Sequence, residues 1–155
     1  FPEGEERQQA ESLAKKVVHI SEFVARSLEH PPMANTGGTT KRVTYHSSCH
    51  LRAAGVTKEP RQVLSSLPGV NFVEMQDADR CAGGAGTYVV KDYDTSKKIF
   101  ERKARAINQS GANVVATSCP ACMIQLKNGL GEAVEVKHVA QLLQEAYRAA
   151  EREKS

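Results

Sequence analysis

Short β-rich runs alternate with helical stripes along most of this chain, and that alternation restricts the fold more than any other feature. Lys41-Arg42-Val43-Thr44-Tyr45-His46 reads as a strand, and Val70–Met75, Asn113–Thr117 and Ala133–Val136 repeat the signal. Between them lie segments with apolar residues at helical spacing. Residues 58–66 form a short helix closed by Leu67-Pro68-Gly69, and residues 95–109 a longer one. In the latter, Asp94 or Thr95 serves as cap, Ile99, Phe100, Ala104 and Ile107 face inward, and Gly111 ends the helix. Residues 120–128 form a third, and His138 to Glu151 a fourth with Val139, Leu142, Leu143 and Ala146 on one face. Strands separated by helices require right-handed crossovers, so the prediction is an α/β fold with a parallel four-stranded sheet flanked by helices.

Residues 7–29 place Ala10, Leu13, Ala14, Val17, Phe23, Val24 and Leu28 mostly on one 3.6-residue stripe, predicting one amphipathic helix. It stops at His30-Pro31-Pro32, and Pro31–Thr40 reads as a linker. The chain therefore divides into an N-terminal helix and linker over 1–40 and an α/β domain over 41–151, with Glu151–Ser155 as a solvated, fraying end. Its 155 residues suit one domain, and a first residue Phe rather than Met points to a piece of a longer chain. No apolar run is long enough for a transmembrane span or a secretory leader. The net charge of +3 is too small and too evenly spread to argue for nucleic acid.

Four cysteines remain to be explained: Cys49, Cys81, Cys119 and Cys122. Nothing marks secretion and a chain this long needs no covalent staples, so a cytoplasmic setting and metal, cluster or redox chemistry are expected. Cys49 follows the first predicted strand, Cys81 lies in the loop after the second, and Cys119 and Cys122 follow the third. All strand C-termini of a parallel sheet share one edge, where ligand sites form. Three loops should thus bring four thiols together. In Cys119-Pro120-Ala121-Cys122, Pro120 suits the first helical position, which puts Cys119 at the N-cap and Cys122 in the first turn, where the helix dipole favours thiolates. The glycines of Cys81-Ala82-Gly83-Gly84-Ala85-Gly86 allow close backbone approach and N–H···S bonds. Four thiols in this arrangement suit an iron–sulfur cluster, a Cys₄ zinc site, or a redox dithiol at Cys119/Cys122.

The order of these residues resembles the cysteine-rich CCG domain family: a cysteine, then Cys-Cys-Gly about thirty residues on, then Cys-x-x-Cys. Here Cys49, Cys81-Ala82-Gly83 and Cys119-Pro120-Ala121-Cys122 occupy those places, and Tyr45-His46-Ser47-Ser48-Cys49-His50-Leu51 is similar to the family's flanking segment. Ala116-Thr117-Ser118-Cys119-Pro120 and Val136-Lys137-His138 also fall where the family has similar residues, so the resemblance covers roughly 40–145. It implies the iron–sulfur subunits of glycolate oxidase and lactate-utilisation complexes, or a component of the heterodisulfide reductase type. It further implies that this is a single repeat, the C-terminal one of a larger electron-transfer subunit. One departure stands out: Ala82 replaces the second cysteine of Cys-Cys-Gly, which puts the larger, unusual clusters of heterodisulfide reductase in doubt and leaves a four-thiolate [4Fe–4S] cluster or Zn²⁺.

The resulting expectation is an electron-transfer domain serving a flavoprotein dehydrogenase that oxidises a 2-hydroxy acid such as lactate or glycolate. Cys49, Cys81, Cys119 and Cys122 would be its ligands, with Gly83 lining the cofactor and His50 supporting the Cys49 thiolate. Its partners would be the flavoprotein subunit and other Fe–S segments of the parent chain, with the complex peripheral to the inner membrane. Against that, His46 and His50 read equally as histidines with local hydrogen bonds, His138 as a cap of the last helix, and Arg52 and Arg80 as exposed cations rather than thiolate partners. No general acid–base pair stands out, so no substrate catalysis is assigned. A zinc-held assembly module and a thiol–disulfide domain are the alternative functions.

Overall fold

A computed structural model describes residues 3–27 and 40–153. The predicted linker, apart from Thr40, lies outside the described residues, as do Leu28 and the last two residues of the chain. The helices are α1 (Glu5–Ala14), α2 (Ile20–Ser27), α3 (Cys49–Ala53), α4 (Glu59–Ser66), α5 (Tyr88–Lys91), α6 (Tyr93–Ser110), α7 (Pro120–Leu130) and α8 (Val139–Glu153). The strands are β1 (Lys41–His46), β2 (Val70–Phe72), β3 (Val114–Thr117) and β4 (Glu135–His138).

The four strands form one sheet in the order β2-β1-β3-β4, every neighbouring pair parallel. His46 of β1 pairs with Thr117 of β3, and Thr117 with His138 of β4, so three strands end flush at one edge. Both faces are covered, as a parallel sheet requires. Val43, Tyr45, Val114 and Ala116 point to one side, against Val63 and Leu64 of α4 and Val139, Leu142 and Ala146 of α8. Val115 and Val136 point to the other, against Phe100, Ala106 and Ile107 of α6 and Leu126 of α7. This period-2 alternation sorts the strand residues between two apolar layers. Each large side chain so buried is worth about 1.5–3 kcal/mol.

Several elements depart from the sequence reading, each for a local reason. The predicted N-terminal helix is two helices. Consecutive β-branched Val17 and Val18 weaken the middle, and His19 starts a new turn: its N–H donates to Glu22 Oε2 at 3.0 Å while its Nδ1 accepts the Ser21 N–H at 3.1 Å. α1 buries no residue. Of the predicted stripe, Val24 of α2 packs on the core. The second strand stops at Phe72, because Glu74 turns out to Arg61, whose guanidinium grips it at 2.7 and 2.9 Å. β4 lies two residues later than predicted, in the register set by the Glu135 N–H donating to the Asn113 carbonyl at 3.0 Å. Neither Asp94 nor Thr95 caps α6; α5 runs into it and Asp92 takes the N-cap position without a side-chain bond. Gly111 does end α6, at φ 67°.

Candidate metallocofactor site

Consecutive strands β1 and β2 lie on one side of the sheet and β3 and β4 on the other, so the chain reverses direction across the sheet between β1 and β3. Loops leaving such a switch point diverge to opposite faces and open a crevice at the carboxyl edge. Cys49 leaves β1 and opens α3. Cys119 leaves β3 as the N-cap of α7, with Pro120 behind it, and Cys122 lies in the first turn. Cys49 and Cys119 therefore flank the crevice on adjacent strands.

Cys81 arrives by a longer route, through a loop wedged between α6 and α7. Gly83 makes the wedge possible: it sits at φ +86°, and a Cβ there would lie 2.5 Å from the Ser96 carbonyl oxygen. A Cβ on Gly84 would lie 2.8 Å from Cβ of Gln125 on α7. The loop is bonded to both helices, Ser96 Oγ donating to the Gly83 carbonyl at 2.9 Å and Gln125 Nε2 to the Ala82 carbonyl at 3.2 Å. The Gly83 N–H in turn donates to Cys81 Sγ at 3.2 Å. Ser96 and Gln125 gave no sign in the sequence, since they act only by holding a loop distant along the chain.

Cys49 and Cys81 are exposed, Cys119 and Cys122 half-buried, and all four are free thiols. Cys122 is pushed up to about 12, by burial first and then by the neighbouring Cys119, Cys81 and Cys49 sulfurs. Without a metal, burial and the nearby sulfurs thus act on Cys122 against the helix dipole. This also places the other three sulfurs within electrostatic reach of Cys122. Among the described residues, no three Cys, His, Asp or Glu side chains form a ready-made cage for a single ion.

Two hydroxyls bear on the fit of a sulfur-rich group. Ser48 precedes Cys49 and Ser118 precedes Cys119; both are buried, and neither hydroxyl has a hydrogen-bond partner among the described residues. The Ser118 hydroxyl does approach the Tyr45 phenol closely enough to lower its pKa, against a larger rise from burial. A repeated Ser-Cys at the end of two adjacent strands was visible in the sequence and its meaning was not. Four thiols, a glycine-rich wall and buried O–H donors beside two ligands fit an iron–sulfur group in chemistry.

The other candidates divide. His46 is buried at the end of β1 and held neutral, its pKa lowered to about 3 by burial and then by Lys103 and Arg52. His50 is exposed on α3 and makes no hydrogen bond to any of the four thiols among the described residues. His138 caps α8: its Nδ1 accepts the Ala140 N–H at 3.1 Å and its N–H donates to Gln141 Oε1 at 2.8 Å. Arg80 pairs with Asp77 at 3.3 Å and Arg52 with Asp79 at 3.9 Å. Ala82 is 1% exposed and belongs to the apolar layer with Met75 and Leu126, facing away from solvent.

Comparison with known proteins follows the same residues. The CCG family, a cysteine-rich domain, matches residues 43–127. The chain is 37% identical over 151 residues to the probable glycolate oxidase iron-sulfur subunit of Bacillus subtilis strain 168, covering 94% of this chain and 33% of that protein. It is 36% identical over 137 residues to a component of the fumarate reductase (CoM/CoB) of Methanothermobacter marburgensis, covering 84% of this chain and 27% of that one. Against lactate utilization protein A of an Exiguobacterium species, identity is 30% over 149 residues, 93% of this chain and 60% of its relative. The chain thus spans between about a quarter and three fifths of the curated relatives it matches. No helix among the described residues is long and apolar enough to cross a membrane.

Proposed function

This chain belongs to the cysteine-rich CCG domain family, and from that premise we propose that it is an electron-relay domain holding one [4Fe–4S] cluster on Cys49, Cys81, Cys119 and Cys122. The observation that supports the proposal is the shared carboxyl edge of the sheet, from which the chain after β1, β2 and β3 carries the four cysteines, the other three sulfurs acting electrostatically on Cys122. Bound there, the cluster supplies one-electron redox chemistry. The chain's own residues hold it and set its surroundings: the Gly83 N–H bonds to Cys81 Sγ, and the Ser48 and Ser118 hydroxyls stand beside two further ligands.

A cluster suits the family context better than a single Zn²⁺, since the relatives include an iron-sulfur subunit. The similarity to a glycolate oxidase iron-sulfur subunit and to lactate utilization protein A supports a place in the oxidation of a 2-hydroxy acid. The electrons would come from a flavin-bearing dehydrogenase and pass to further iron–sulfur segments of the parent protein. The 30–37% identities extend to two kinds of reductase component, which supports electron transfer as the shared role.

Anaerobic reconstitution with iron and sulfide tests this directly. The expected product is brown, with about four iron and four sulfide per chain and an EPR signal on reduction. A colourless protein with one tightly held zinc, or a Cys119–Cys122 disulfide that cycles without metal, would replace the cluster reading.

A further inference from the structure

A cavity of about 510 Å³ opens beside Cys81, between the loop that carries it and the outer face of α6. Arg52, Arg80, Lys98, Arg102 and Lys103 line it, opposed only by Asp77 and Asp79. Five basic against two acidic side chains leave an excess of three positive charges, as large as the net charge of the entire chain. The electropositive character that looked evenly spread in sequence is therefore concentrated at one concave place.

The lining is not self-neutralising. Asp77 is engaged by Arg80 and Asp79 by Arg52. Lys103, 2% exposed, donates to the backbone carbonyls of Asp77 and Ala78, which props the floor of the cavity. Lys98 and Arg102 remain: one turn apart on α6, they have no ion-pair partner among the described residues. Like charges at that spacing repel, and here both border the same hollow. Ile99 and Ala106 add apolar wall on the same helix. The volume lies within the range of small-molecule sites, where an apolar lining surrounds a few convergent polar groups.

We propose that this cavity is a binding site for a small organic anion bearing two or more carboxylate or phosphate groups, held chiefly by Lys98 and Arg102 next to Cys81. Two cations set on one helix face fit a doubly charged ligand, and concave, low-dielectric walls concentrate their field. The site is argued from the cavity and its charges, and it shares one wall, Cys81, with the proposed cluster site.

The test is a titration of the full chain with pyrophosphate and with citrate at constant ionic strength, followed by calorimetry and by amide chemical-shift mapping. Saturable one-site binding of at least one anion is expected, with shifts confined to the Asp77–Cys81 loop and the Thr95–Ala106 part of α6. Lys98→Glu and Arg102→Glu should each weaken it tenfold or more. Both side chains are exposed, so folding is preserved, which circular dichroism checks. Lys127→Glu, the same charge change on α7 away from the cavity, should leave binding within twofold. Phosphate-only or carboxylate-only binding identifies the headgroup, and either supports the site. Equal weakening by all three variants means nonspecific attraction and overturns the proposal. So does the lack of saturation by both anions, including the case in which only an acidic protein surface binds there. Iron content of the reconstituted variants is measured in parallel: loss of anion binding with full iron separates this site from the cluster.

Discussion

Replacing Gly83 with Ala probes the tightest of the contacts that place Cys81. At φ +86° a residue with a Cβ pays about 1–2 kcal/mol for the left-handed backbone. The new Cβ would meet the Ser96 carbonyl oxygen at 2.5 Å, and because that atom is backbone of α6, the loop must move rather than the neighbour. Moving it breaks the bond from Ser96 Oγ to the Gly83 carbonyl, worth about 1 kcal/mol net. The expected loss is about 2–4 kcal/mol. Gly86 supplies an internal control: it also has positive φ, at +50°, but nothing lies within 4 Å of a Cβ placed there. Gly86→Ala should cost only the backbone part, about 1 kcal/mol. Chemical denaturation of the metal-free chains measures the difference, and thermal melts should show Gly83→Ala lower by roughly 6–12 °C. Iron retention after reconstitution should fall with it, since Cys81 is displaced. If Gly83→Ala were as stable as Gly86→Ala, the wedging of this loop between α6 and α7 would not be what positions Cys81.

Four further outcomes are expected. Cys81→Ser or Cys122→Ser should abolish iron retention on reconstitution, whereas His50→Ala should keep it and alter only potential or affinity; normal iron in Cys81→Ser together with loss in His50→Ala would make histidine the ligand. For pH, His46 is held neutral in the folded chain with a pKa of about 3 against 6.5 unfolded. The unfolded state therefore binds the extra proton between those values, and stability falls as pH drops from about 6.5 toward 3. Between pH 7 and 5.5 the wild type should lose about 1 kcal/mol more than His46→Gln, and parallel curves would refute this. Gly129→Ala in α7 would set a Cβ 2.2 Å from the Phe100 ring; overpacking of about 1–3 kcal/mol outweighs the gain of about 1 kcal/mol in helix propensity, and Phe100→Leu should relieve the penalty in the double variant. Ala82→Cys should fold, yet react with a thiol reagent far more slowly than Cys81, because position 82 lies in the apolar layer; a fast fifth thiol would show that the loop rotates freely.

How much of this was legible depended on whether a signal was local. β1 and β3 were read correctly because Val43, Tyr45, Val114 and Ala116 alternate with residues of the opposite layer, and a period of two is written in consecutive residues. The end of α6 was equally plain, since Gly111 supplies the positive φ that closes it. The N-terminal helix was misread as continuous because the break rests on His19, a residue without strong capping preference, meeting Glu22 in one particular geometry. α3 and α5, of five and four residues, are too short to show any period. The cavity beside Cys81 left no trace either, for its cations come from α3, from a loop and from α6.

The cysteines were legible as a pattern but not as equals. Cys49 and Cys119 are placed by strand ends paired in register, His46 opposite Thr117, so the sheet itself fixes their separation. Cys122 follows from Cys119 by one helical turn. Cys81 has no such frame: β2 is only three residues long, and Cys81 comes nine positions after its last residue, Phe72. Its position rests on Gly83, Gly84, Ser96 and Gln125, contacts made across the molecule. Ala82 shares that dependence, since the bonds that pin its carbonyl to Gln125 also turn its side chain inward. A cluster ligand at position 82 would require the loop to trade its packing in the apolar layer for the crevice. With alanine there, packing and ligation do not compete, and the loop can present Cys81 alone. The departure from Cys-Cys-Gly is thus matched by the apolar packing around Ala82, which agrees with the four-thiolate ligation proposed for this chain.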